Sequence, residues 1–284
     1  MKRILIIFVI MIGLYIIFTN AASWFSFGNK GSSASGINQV DQINIDVSSA
    51  NTTIIPEKRN DIEATVDGKG SVNVKKIGSA VDVEYTRNWM DGFSFFNNTA
   101  KVKIYIPEDY NEDLSIDVGS GAITLAGASK ENPIKLNKLQ VDMSSGAVKL
   151  SNIETDSYDH DGSSGILTID HMKANKSEIE ISSGMGKIKH FTGGMNAEIS
   201  SGKLDIQIDK LKADVNVSAS SGVVNLDLPD DADFTLKGKY GSGFITSKLP
   251  LSSESGSKGK LEGTMGAGTY NVNVTVSSGL ADIR

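Results

Sequence analysis

The chain has 284 residues, 39% hydrophobic and 22% charged, which is enough for a folded domain with a sizeable core. It carries a formal net charge of −6 and no Cys, which excludes a disulfide frame, a thiolate metal site and a cysteine nucleophile, and an acidic chain without a basic stripe argues against nucleic acid as a partner. Gly is abundant, 29 residues against 5 Pro, the balance of a chain with many tight turns rather than a Pro-rich linker.

At the N-terminus, Lys2 and Arg3 precede an unbroken apolar run from Ile4 to Phe18, and no further charge appears until Lys30. The run suits the core of a secretory signal, with Thr19-Asn20-Ala21 as a small-residue cleavage site. Extended to Phe25, it also suits an uncleaved span with Trp24 and Phe25 at the interface. Either way the two positive residues stay inside and the rest is exported. The expected layout is therefore a membrane anchor or signal segment over 1–25, a Gly/Ser linker over 26–36 and an extracytoplasmic domain over 37–284. This places the protein in the cell membrane as a single-pass chain with a cytoplasmic N-terminus.

Residues 37–110 show period-two alternation at Ile43 to Val47, Val81 to Tyr85 and Val102 to Ile106, with the turn-like Asp67-Gly68-Lys69-Gly70 between. They read as antiparallel capping strands that close an open sheet end. Within them, Tyr85 to Phe96 hold the one aromatic concentration outside the N-terminal run. Trp89, Phe93, Phe95 and Phe96, with Arg87, suit a loop that contacts a sugar face or a lipid headgroup; the same rings suit closure of the domain's end.

From 111 to 284 a Ser-Gly corner recurs, at Ser120-Gly121, Ser145-Gly146, Ser164-Gly165, Ser183-Gly184, Ser201-Gly202 and Ser221-Gly222, then at Ser242-Gly243 and Ser278-Gly279, with a degenerate Ser49-Ala50 upstream. Relative to each corner Gly, positions +2, +4, −3 and −5 are mainly apolar, as in Val141, Met143, Val148 and Leu150, and the positions between are polar. This is strand alternation on both sides of a turn, so each rung has one buried face and gains its core by stacking on the next. The expected fold is all-β: a single-stranded β-solenoid of 18–25-residue rungs, each rising about 4.8 Å, with one N-terminal transmembrane helix. Corner Gly is expected for its access to φ > 0, and the serines are expected to form a hydroxyl ladder. Eight near-identical Ser-Gly corners are not eight nucleophiles, since each nucleophile would need its own base and oxyanion site.

Three polar features stand out. Asp156, Asp159 and Asp161 form the densest acid cluster, a weak candidate for a cation, but their spacing lacks the closing Glu of a Ca²⁺ loop. His171 and His190 both occupy corner position +6 and should stack one rung apart, as solvent-facing turn residues or as a metal-binding pair. His160 takes the inward −5 position and Gly162 the −3 position, which predicts an irregular rung with a polar interior contact.

The rung Val141 to Leu150 and the terminal Ser277-Ser278-Gly279-Leu280-Ala281-Asp282-Ile283 resemble the bacterial family of candidate adhesin domains of unknown function. With the N-terminal segment and linker, the layout is similar to the LiaG-type membrane proteins of Gram-positive cell-envelope stress operons. The resemblance implies a non-catalytic envelope protein and carries no catalytic residue and no cofactor. Its implied partner is cell wall, a lipid headgroup or an envelope protein. Two alternatives stand beside it. One is a β-helical polysaccharide-active enzyme, which would need two carboxylates facing one groove, from Asp159, Asp161 and Asp170. The other is a regulator of a membrane sensor acting through protein contact.

Overall fold

The computed structural model describes residues 32–37, 39–87 and 100–284. In chain order the strands are β1 Ser32–Gly36, β2 Gln42–Val47, β3 Asn51–Glu57, β4 Asp61–Asp67, β5 Ser71–Ile77, β6 Ala80–Thr86, β7 Lys101–Pro107, β8 Asp113–Val118, β9 Ala122–Ala126, β10 Ile134–Met143, β11 Ala147–Ala219, β12 Val223–Asp227, β13 Phe234–Tyr240, β14 Phe244–Ser247, β15 Ser252–Ser257, β16 Lys260–Met265, β17 Tyr270–Val276 and β18 Leu280–Ile283. No helix occurs among the described residues, and hence none long and apolar enough to cross a membrane. The segment 1–25 read as an anchor lies outside them. Residues 32–36, read as the end of a linker, are instead strand β1, paired antiparallel with β4.

The alternation read from the sequence is the burial pattern. At −5, Ile116, Val141, His160, Ile179, Ala197 and Val217 are buried; at +4, so are Leu125, Leu150, Ile169, Ile188, Ile206 and Leu226. Each fully buried aliphatic side chain is worth about 1.5–3 kcal/mol, so several per rung make stacking the main stabilising term. The strands before the corners form one parallel ladder, with β8, β10 and β11 in register, and the strands after them form a second, through β9, β11 and β12. A one-residue slip would turn each core side chain outward, which fixes this register.

Chain order and stacking order differ at both ends. Strands β2 and β3 pair in parallel with β6 and β7 on one side and with β8 and β9 on the other. The region 37–110 is therefore two rungs with hairpins attached, rather than only an antiparallel cap, and its first rung in sequence is its second in space. At the other end β17 pairs with both β11 and β13, and β18 with both β12 and β14. The last residues of the chain thus fill the penultimate rung. Alternation marks which residues face inward but not which rung is neighbour to which, so this insertion is invisible to periodicity.

The corners differ from expectation in what they ask of Gly. Gly146, Gly165, Gly184 and Gly202 do sit at positive φ, 148, 129, 142 and 113°, but Gly121, Gly222, Gly243 and Gly279 do not. Close approach is the more general demand. A Cβ on Gly146, Gly165, Gly184 or Gly202 would lie 2.0–2.4 Å from the carbonyl oxygen of the preceding corner Gly. The corners are held mainly through the main chain, as in Ser120 N–H to Ser48 O at 2.7 Å and Ser145 N–H to Gly119 O at 2.7 Å; Ser120 Oγ adds a bond to Ser48 O at 3.4 Å.

Candidate functional site

Trp89, Phe93, Phe95 and Phe96 lie outside the described residues. Arg87, just after β6, is exposed.

The acid cluster does not converge. Asp156 accepts a hydrogen bond from Asn175 Nδ2 of the next rung at 2.7 Å. Asp159 and Asp161 lie two residues apart on β11, paired in register with Gln140 and Asp142 of β10. They belong to a longer row, because register also aligns Asp142 with Asp117, Asp117 with Asp46, and Asp46 with Glu84. Desolvation, then the charges of Asp117 and Glu84, push the Asp46 carboxyl up to about 6. Desolvation also raises Asp117 and Asp142 above the usual carboxylate range. Further along the same sheet, an open groove of about 270 Å³ is lined by Glu178, Glu180, Asn196, Glu198, Asn216 and Asn273. There Asn273 donates to Asn216 and Asn216 to Asn196, each at 2.8 Å, an amide ladder of the kind that in-register stacking of like residues permits.

His160 faces inward as expected, but without the expected polar contact. Its rung is a regular strand in register with Val141, and the ring is fully buried beside Tyr158, centroids 6.4 Å apart. Neither ring nitrogen has a hydrogen-bond partner, nor does the Tyr158 hydroxyl. Gly162 makes room for the ring, since a Cβ there would lie 2.9 Å from His160 Nε2. Desolvation pushes the His160 imidazole down to about 4.

His171 and His190 stack, with ring centroids 4.3 Å apart and planes 25° from parallel. Both are half-buried, on the outside of consecutive rungs.

The sequence reading overlooked position +1. Among the described residues the exposed large hydrophobics include Ile166 (49%), Met185 (45%), Val223 (36%), Phe244 (65%) and Leu280 (52%), each immediately following a corner Gly. Register aligns Val223 with Leu280 and Leu280 with Phe244, and Phe244 also stacks on Tyr240 with centroids 6.4 Å apart. Ala122 and Ala147 continue the column and Lys203 interrupts it. An outward apolar row along several rungs, flanked by serine corners and by a polar row at +3, has the layout of a recognition surface. Tabulating +1 beside the inward positions would have revealed it.

A profile of the family described as Toastrack DUF4097 matches residues 40–284. No curated relative matches the chain. Among solved structures, a candidate adhesin from Bacteroides fragilis is similar with a TM-score of 0.51 at 10% identity, covering 90% of this chain and 98% of that one. A candidate adhesin from Parabacteroides merdae has a TM-score of 0.42 at 11% identity, covering 90% and 97%. A candidate lipid-binding protein from Parabacteroides distasonis has a TM-score of 0.42 at 13% identity, covering 91% and 98%. At such identity the likeness concerns the fold.

Proposed function

We propose, since the chain belongs to the Toastrack DUF4097 family, that it is a non-catalytic, membrane-anchored extracytoplasmic binding module of the bacterial cell envelope. The observation that carries this reading is the apolar row Ile166, Met185, Val223, Leu280 and Phe244. Side chains of this size exposed in one line leave apolar surface in water that a partner would cover, at roughly 25 cal/mol per Å² buried. The row is stiff, because it is built on strands rather than on a loop. The anchor is read from the N-terminal sequence. The finer role, an accessory of the envelope-stress response like the LiaG-type proteins, rests on the layout of the chain. A sensor regulator would use the same surface, with an envelope protein as the partner.

The polysaccharide-cleaving alternative gains little. Asp159 and Asp161 stand in a line of like charges on one sheet, while Asp170 lies against His171. Among the described residues, the groove noted above is lined by none of these three carboxylates.

The full-length protein in detergent, and a Phe244→Ser/Leu280→Ser variant, should be tested for cosedimentation with purified cell wall and, after reconstitution, for crosslinking to envelope proteins. Association that survives high salt and is lost in the variant supports the reading. Association that disappears in high salt and is equal in both proteins would move the surface to the charged face. A folded protein that turns over a polysaccharide would overturn the non-catalytic reading.

A further inference from the structure

A column of left-handed residues runs along the solenoid at corner position +6: Asn152, His171 and His190 have φ of 54, 56 and 53°. Asn, Asp and His are the non-Gly residues best tolerated there. Asn152 has a local structural reason for its place, because its Nδ2 donates to Gly127 O at 3.1 Å. The two histidines make no comparable bond to the main chain. Instead each has a carboxylate at Nδ1: Asp170 Oδ1 lies 3.0 Å from His171 Nδ1, and Asp209 Oδ2 lies 3.1 Å from His190 Nδ1. An ionised carboxylate only accepts, so Asp209 holds the proton of a neutral His190 imidazole at Nδ1 and leaves its Nε2 lone pair free. Carboxylate–imidazole pairing of this kind fixes tautomer and ring orientation at metal sites. The stacking of the rings at 4.3 Å sets the two imidazoles side by side. Donor atoms of Asp170, His171 and His190 all lie within 4.8 Å of one another.

We propose that Asp170, His171 and His190 form a surface site for a divalent transition-metal ion, with Asp209 as the residue that positions His190. Two imidazoles and one carboxylate are a donor set for Zn²⁺, Ni²⁺ or Cu²⁺ rather than for Ca²⁺ or Mg²⁺, which take oxygen. Three protein ligands leave a coordination position open to water or to a group from outside. Because the ligands come from successive rungs, the ion would tie two rungs together. The site is independent of the apolar row and of the binding role proposed above.

The test is calorimetric titration of the chelator-treated full-length protein with Zn²⁺ and Ni²⁺, with Ca²⁺ as the hard-ion control. His171→Asn and His190→Asn are the informative variants, since Asn152 shows that Asn is accepted at this corner. We expect one equivalent of Zn²⁺ or Ni²⁺, an affinity about tenfold or more weaker in each His variant, and about tenfold weaker in Asp209→Asn, the loss typical of a removed outer partner. Absence of binding, equal affinity in a His171→Asn/His190→Asn variant, or Ca²⁺ bound as tightly as Zn²⁺ would overturn the proposal. Independently of any variant, electron paramagnetic resonance with one equivalent of Cu²⁺ should show two nitrogen ligands; an oxygen-only spectrum would overturn it.

Discussion

Replacing His160 by Leu should stabilise the protein, and more so in acid. The ring is fully buried, in a position that Val141 and Ile179 occupy on the neighbouring rungs, and both its nitrogens lack partners. Burial takes its pKa from 6.5 down to about 4. Because the folded value is the lower one, the unfolded chain binds the proton first. The neutral ring's contribution is intact above about pH 6.5 and is lost as pH falls through the window from 6.5 to 4. At about 1.4 kcal/mol per pH unit, the full loss is about 3 kcal/mol, of which about 2 kcal/mol falls between pH 7 and pH 5. At neutral pH the variant should gain about 1–3 kcal/mol from removal of unpaired buried groups. Urea unfolding of both proteins at several pH values, followed by circular dichroism, would measure this. The quantity to compare is the difference between wild type and variant, because Asp46, raised from 3.8 to about 6, titrates in an overlapping window with the opposite sign. A difference that stays constant from pH 7 to pH 5 would refute the reasoning and mean that the ring is hydrated or hydrogen-bonded.

Tyr158→Phe removes a second buried unpaired group and should raise stability by about 1–3 kcal/mol without changing its pH dependence, read by the same unfolding experiment. Gly184→Ala places a Cβ 2.3 Å from the carbonyl oxygen of Gly165 and should cost about 3 kcal/mol, whereas Gly78→Ala, which meets no atom within 4 Å, should cost less, mainly through its positive φ. Asp46→Asn should stabilise by up to about 1 kcal/mol at neutral pH. The sign follows from a folded pKa raised from 3.8 to about 6: charging Asp46 opposes folding, so the gain appears as pH rises through that window and fades toward pH 4.

Rung architecture, inward positions and the stacking of His171 on His190 were legible because all three follow from one periodic signal, alternation about a repeated corner. The reason for the corner Gly was only half legible. Left-handed φ is a property of one residue, whereas contact with the carbonyl of the rung below depends on a neighbour about 19 residues away. His160 was marked by breaking the apolar pattern, but its lack of a partner depends on what surrounds it in three dimensions. The row from Ile166 to Phe244 was written plainly at +1 and is easily missed when apolar residues are sought only at inward positions. The convergence of Asp170 on the histidines accompanies the left-handed backbone at His171 and His190, which spacing alone does not give.

The insertion of β17 between β11 and β13, and of β18 between β12 and β14, has a consequence for biogenesis. In a solenoid wound strictly in chain order, rungs can close one after another as the polypeptide emerges, and the final residues add only a terminal layer. Here residues 234–247 have no parallel ladder onto the preceding rungs until 270–283 are present, and β13 has only its antiparallel pairing with β16. Docking of that end must therefore wait for residues 270–283. A premature stop near residue 265 would take out an interior layer and leave the preceding 30 residues unmoored. Such a truncated product should be open to proteases well upstream of its break.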